Sequence, residues 1–269
     1  MYVKFNPLRR KKVKLKNSLR FLLCLLIVTC VSLPLVLQAD VYIKQKRHTD
    51  AFEVMGQAQP AKDEITITWM DKDKARIDQG EESSIIILLD KKIMYQIDHT
   101  KMAYTEIPFE DLENIITGGI EKSEITEEEK AEAEKFMKGF AGMMKPEVQI
   151  TDTGEKKKIK DWKCRKYIAK MKMMMMTSTS EIWATEDIKI DYKLFRTLGN
   201  IMMPKQLGLQ EMMKEMEKIK GLPVLSTSIS STMGSEVKST EELVEVKKTK
   251  APSGIYEIPE GYKKEKAKK

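Results

Sequence analysis

Residues 65–107 alternate short apolar runs with polar turn clusters, and that spacing limits most strongly what the chain can fold into. Ile65, Ile67 and Trp69 fall on one side of an extended chain and Thr66 and Thr68 on the other, the two-residue period of a half-buried strand. Ile93, Tyr95 and Ile97 repeat that period. Residues 85–89 are apolar throughout, as a strand covered on both faces would be. Gly80, the Asp90-Lys91-Lys92 cluster and Asp98-His99-Thr100-Lys101 supply the turns. The segment therefore predicts an antiparallel meander.

Before it, Val41-Tyr42-Ile43 and Ala51-Phe52-Glu53-Val54 carry β-forming side chains, and Pro60 ends that stretch. After Pro108 the period changes. Phe109, Leu112, Ile115 and Ile116 are spaced for a short helix closed by Gly118-Gly119. Thr126 and Glu129 form a capping box, and Ala133, Phe136, Met137, Phe140, Met143 and Met144 make one helical stripe that Pro146 stops. Residues 148–185 return to strands. Phe195, Leu198 and Met202 predict one further helix, and Leu209, Met212, Met213, Met216 and Ile219 another, closed by Gly221 and Pro223. Residues 222–258 read as closing strands with turns at Gly234 and at Pro252-Ser253-Gly254. Strands interrupted by amphipathic helices predict an α+β fold, the helices lying against an antiparallel sheet. No linker divides the chain, so residues 40–262 are expected to form a single domain and 263–269 a charged, disordered tail.

The net charge of +7 does not belong to that domain. Residues 1–39 hold eight basic side chains and no acid, which leaves 40 basic against 41 acidic elsewhere. A nucleic-acid surface on the body is not expected from this balance. The same residues have the layout of an export signal: a basic stretch to Arg20, an apolar run over 21–37, then a small residue, Ala39, before Asp40. We expect an N-terminal signal peptide over 1–39 with cleavage between Ala39 and Asp40, and a periplasmic product. An uncleaved membrane anchor is one alternative; a lipoprotein box at Ile27-Val28-Thr29-Cys30 is another. Membrane contact is expected through this segment only.

Past residue 39 a single cysteine, Cys164, remains, so no internal disulfide can brace the fold. The two histidines, His48 and His99, sit near predicted turns outside any metal-ligand spacing. No nucleophile elbow, phosphate loop or dinucleotide fingerprint is present. The expectation is a protein that is not an enzyme and uses no cofactor or metal. Methionine is the one unusual amount, 19 in all, with Met171, Met173, Met174, Met175 and Met176 nearly continuous. Thioethers suit three purposes: core filling, an adaptable apolar lining, or soft-metal binding such as copper(I).

Three short motifs suggest kinship. They are Met94-Tyr95-Gln96-Ile97-Asp98 with Met102-Ala103-Tyr104-Thr105-Glu106, Lys163-Cys164-Arg165-Lys166-Tyr167 with Glu181-Ile182-Trp183, and Ile255-Tyr256-Glu257-Ile258-Pro259-Glu260-Gly261-Tyr262. Together they resemble an exported bacterial domain family of unknown function, itself similar to the lipoprotein carriers LolA and LolB and the sensor RseB. The resemblance implies a strongly curved antiparallel sheet, a half-open barrel, wrapped around helices. It implies a cavity for a lipid or acyl-chain ligand, with Phe136, Met137, Phe140, Met143 and Met144 on the helix side and Trp69, Tyr95 and Trp183 on the sheet side. It brings no catalytic residue, and the arginine that the carriers use for hand-off has no match. The functional expectation is an exported lipid-binding protein. The alternatives are an envelope structural or sensor module that binds another protein, and a methionine-based metal binder.

Overall fold

The computed structural model describes residues 39–54, 56–111, 146–173, 176–190, 209–232 and 234–266. The chain divides into two units, Met1–Gln38 and Ala39–Lys269, and every described residue lies in the second. Its first half supplies β1 (Asp40–Thr49), β2 (Phe52–Val54), β3 (Gln57–Gln59), β4 (Lys62–Met70), β5 (Lys74–Gln79), β6 (Ser83–Leu88), β7 (Ile93–Asp98) and β8 (Ala103–Pro108). Its second half supplies β9 (Glu147–Ile159), β10 (Trp162–Met173), β11 (Met176–Thr185), α1 (Leu209–Met216), β12 (Leu222–Thr232), β13 (Ser235–Thr249) and β14 (Lys263–Glu265).

Twelve strands form one sheet in the order β14-β8-β7-β6-β5-β4-β1-β13-β12-β11-β10-β9, and β2 pairs with β3 apart from it. Every pairing in the large sheet is antiparallel except that of β14 with β8. The meander thus forms as its alternation predicts, over β4 to β8. Ile86, Ile87 and Leu88 are all buried, so β6 is covered on both faces.

The register sorts the side chains of the meander. Met70, Ala75, Ile87, Met94 and Ile107 stand opposite one another on five successive strands and belong to the largest apolar cluster. Trp69, Arg76, Ile86, Tyr95 and Glu106 form the neighbouring row, one residue along each strand and therefore on the other face. The C-terminal segment lies against that second face: Tyr256 and Tyr262 pack on the cluster of Ile86, Leu88 and Ile97. A third cluster, Ile150, Tyr167, Ile182 and Ala184, sits on β9 to β11 and takes Ile219, just past α1.

The expected α+β architecture is overturned. Among the described residues the protein is nearly all β, 66% strand against 5% helix, and its sheet is large and mostly flat rather than curved around helices. The physical reason lies in β11 and β12. Their sequences are rich in serine and threonine on both faces, and the hydroxyls pair from strand to strand, Ser180 Oγ with Ser228 Oγ at 2.7 Å and Ser230 Oγ with Ser178 Oγ at 3.2 Å. Such strands need no oily interior to close around. The helix expected after Pro108 begins at Phe109, Glu110 and Asp111, and its remainder lies outside the described residues. So do the stripes at 133–144 and 195–202. The last expected helix is present as α1. The tail, expected to be disordered, contributes β14: Lys263 N donates to Met102 O at 2.9 Å, capping the open edge of β8. Three residues are too few for an alternation to announce a strand.

Candidate functional site

The sheet-side residues expected to line a common cavity have different surroundings. Trp69 meets Tyr42 edge-on, ring centroids 4.9 Å apart. Tyr95 meets Tyr104 in the same way at 5.9 Å, within the cluster beneath the C-terminal segment. Trp183 is only 5% exposed and lies in the largest cluster. Lys157 Nζ stands 3.8 Å from the centroid of its ring and Lys166 Nζ 5.6 Å, while the indole N–H donates to Glu181 at 2.8 Å. An indole face occupied by ammonium groups gains from cation–π attraction and is not free for an apolar ligand. The helix-side candidates Phe136, Met137, Phe140, Met143 and Met144 lie outside the described residues. Asp40 opens β1, and its carboxylate accepts hydrogen bonds from Ala251 N at 2.9 Å and Tyr256 O–H at 2.7 Å.

One buried polar network was not foreseen. Ser84, fully buried on β6, touches Asp78, His99 and Arg76. Its single hydroxyl hydrogen goes to the Asp78 carboxylate at 2.5 Å, which can only accept. His99 must then donate from Nε2 to Ser84 Oγ at 2.6 Å, and its Nδ1 shares a hydrogen bond with the Tyr262 hydroxyl at 2.8 Å. Arg76 completes the network through Nε to Asp78 at 2.6 Å and reaches Ile255 O at 3.3 Å. The three residue types are those of a nucleophilic triad, but the order is wrong for one: the histidine donates to the serine and cannot serve as its base. The arrangement pins the C-terminal segment to the sheet. The spacing of Asp78, Ser84 and His99 in sequence gave no sign of it, because their meeting depends on the register of β5, β6 and β7.

The other end of the sheet is different. β9 is its last strand, and every residue over 151–158 is exposed. The stretch before it is partly covered: Ile150 N donates to Glu215 of α1 at 3.1 Å. Further along, Lys163 on β10 turns its N–H to Asp187 at 2.8 Å and its carbonyl to the Thr185 hydroxyl at 2.8 Å, both toward β11. Lys163 stands opposite Lys158, so those two make a non-hydrogen-bonded pair. By the same alternation Arg165 and Lys156 make the next one, the last before the register shifts between Arg165 and Tyr167. The N–H and C=O of Lys156 and Lys158 therefore point away from the sheet, into solvent. Beside this edge an open groove of about 310 Å³ is lined by Glu147, Gln149, Lys170, Lys172, Thr177 and Thr179.

Among the described residues no group of three or more His, Cys, Asp or Glu side chains is placed to hold a metal ion. Cys164 is buried and its thiol pKa is pushed up by burial, the state of a packed side chain rather than a nucleophile. Met171 lines the groove, Met173 and Met176 pair across β10 and β11, and Met174 and Met175 lie outside the described residues.

Among the described residues the fold and this edge define a class: a nearly all-β protein built on one long antiparallel sheet that ends in the short β14 at one margin and in the exposed β9 at the other. The chain belongs to the family described as Domain of unknown function (DUF4412), which matches residues 121–262, just over half of its length. That span takes in β9 to β13 and the C-terminal segment through Tyr262, so the open edge lies inside it. No curated protein matches the chain.

Proposed function

We propose that this chain is an exported, non-enzymatic binding protein that takes an extended segment of another envelope protein along the open edge of β9. The single observation that carries the reading is the pair of outward-facing backbone sites at Lys156 and Lys158 on an exposed terminal strand. Unpaired N–H and C=O groups in a row are a template for an added strand, and backbone hydrogen bonds then supply affinity without a specialised pocket. The β14 margin supports the reading by contrast. There the three-residue β14 already pairs with Ala103–Thr105 of β8, whereas β9 offers a terminal strand of 13 residues. Export rests on the layout of residues 1–39, and cleavage between Ala39 and Asp40 would leave β1 whole from its first residue. Retention of that segment as an anchor would keep the binding protein at the membrane.

A photo-crosslinking residue in place of Lys156, used in the native host, is expected to capture one predominant protein. Adding Lys158→Pro removes an outward N–H that none of the described strands uses, and should abolish the capture. Capture of many proteins alike, or capture indifferent to the proline, would contradict the reading.

The resemblance to the lipoprotein carriers supports a second reading. In it the protein carries an acyl chain, each buried methylene contributing about 0.8 kcal/mol; the row of Met70, Ala75, Ile87, Met94 and Ile107 is already covered and would have to open to receive it. Native mass spectrometry of protein purified without delipidation separates the two. Bound lipid favours the carrier, and lipid-free protein that still gives the crosslink favours the strand partner.

A further inference from the structure

We infer that the partner strand at β9 is acidic, with carboxylates at alternate positions; this rests on the strand-addition reading above. The observation is the register of β9 and β10. It sets Lys158 directly opposite Lys163, and Lys156 directly opposite Arg165. Four cations thus share one face of two neighbouring strands at the margin of the sheet, and all four residues are exposed. Like charges directly opposite each other destabilise a strand pair. Of the four, Arg165 is relieved by Asp152, with Nε 2.7 Å from Oδ1. Lys156, Lys158 and Lys163 make no ion pair among the described residues. Lys157, on the opposite face, is turned to Trp183 and takes no part.

The backbone geometry says where relief would come from. Lys156 and Lys158 are the residues whose N–H and C=O face outward, so an antiparallel guest would pair with both. Its residues opposite them would put their side chains on the same face as the lysines, about 5.5 Å away between Cα atoms. Acids two apart on the guest then meet Lys156 and Lys158 directly, with Lys163 and Arg165 behind. A neutral or basic strand would gain the same hydrogen bonds but leave the cations unrelieved, so charge selects among possible guests. Free phosphate would satisfy the cations without using the backbone sites.

The test is a fluorescence titration of the full chain with a peptide of about ten residues that alternates threonine and glutamate. The controls are the same composition in two blocks, a threonine–lysine alternation, and inorganic phosphate. The alternating acidic peptide should bind, weaken steeply as salt is raised, and lose at least about tenfold in affinity in the double variant Lys156→Glu, Lys158→Glu. Lys158→Pro, and Lys156→Pro in case the first does not fold, should abolish binding with the charges next to the missing N–H still largely in place. If charge reversal changes nothing while the proline variants lose a guest captured by crosslinking, the edge stands and the acidic guest is overturned. Should the block peptide or phosphate bind as tightly as the alternating peptide, or the proline variants keep full affinity, the site is a general anion surface and the inference is also overturned.

Discussion

The Tyr262 hydroxyl and Nδ1 of His99 share a hydrogen bond of 2.8 Å, joining the C-terminal segment to the turn after β7. The bond is the outermost link of the chain that runs through Ser84 to Asp78. Tyr262→Phe removes one hydrogen bond and keeps the ring, whose centroid lies 5.6 Å from that of His99. The expected cost is about 1 kcal/mol in urea unfolding. Ser84→Ala leaves Asp78, His99 and Arg76 short of a partner in a buried place and should cost more, about 2–3 kcal/mol. Equal, negligible effects would show that the network does not hold the C-terminal segment.

A second prediction concerns a close approach of backbones. Gly221 has φ +90, and a Cβ built there would lie 2.0 Å from Thr185 O. Side chains are excluded both by conformation and by contact, so Gly221→Ala should destabilise by about 2–4 kcal/mol. Thermal unfolding of the purified variant measures it. Gly80, whose Cβ would meet nothing within 4 Å, is the control for a positive φ alone.

Alkaline stability should depend on Tyr256. Burial, then its hydrogen bond to Asp40 and the charge of that carboxylate, hold its pKa well above the usual tyrosine value. A raised pKa contributes stability in full below the unfolded value, about 10, and that contribution is lost as pH climbs beyond it. Stability measured from pH 8 to 11.5 should therefore fall above pH 10, and Tyr256→Phe should flatten that limb. An unchanged slope in the variant would contradict the assignment.

On the acid side Glu181 is informative. Lys166 first, and the Trp183 N–H second, hold its carboxyl below the ordinary glutamate value. A lowered pKa contributes stability above the unfolded value, about 4.3, and loses it as pH falls through the folded one. The side chain is 43% exposed, so screening by water keeps the contribution small. Glu181→Gln should reduce the loss between pH 5 and 3, and the quenching of Trp183 fluorescence should change with it.

The meander was legible because alternation with Ile65, Ile67 and Trp69, and again with Ile93, Tyr95 and Ile97, is a local signal. So was α1, whose Leu209, Met212, Met213 and Met216 repeat at helical spacing before Gly221. What failed was inference from class to shape. The motifs around Tyr95, Cys164 and Tyr256 do lie on strands or on the C-terminal segment, yet nothing in them specifies curvature, and the serines of β11 and β12 turned out to favour a flat sheet. The polar network was invisible for a different reason. Asp78, Ser84, His99 and Tyr262 meet only through strand register and the return of the C-terminus. The open edge was hidden too: nothing in the lysines at 156, 157 and 158 says which backbone groups face outward, and the pairing of Lys163 with Lys158 is what fixes it.

The account depends most on β9 being a formed strand whose outer side is bare. Residue-resolved amide hydrogen exchange by NMR on the free protein tests this directly. Lys157, bonded to β10, should be protected, while Lys156 and Lys158 on either side of it should exchange nearly as fast as in an unfolded chain. Protection of all three would mean that the edge is already covered, and rapid exchange of all three that the strand is not formed; either result would contradict the binding edge proposed for this protein.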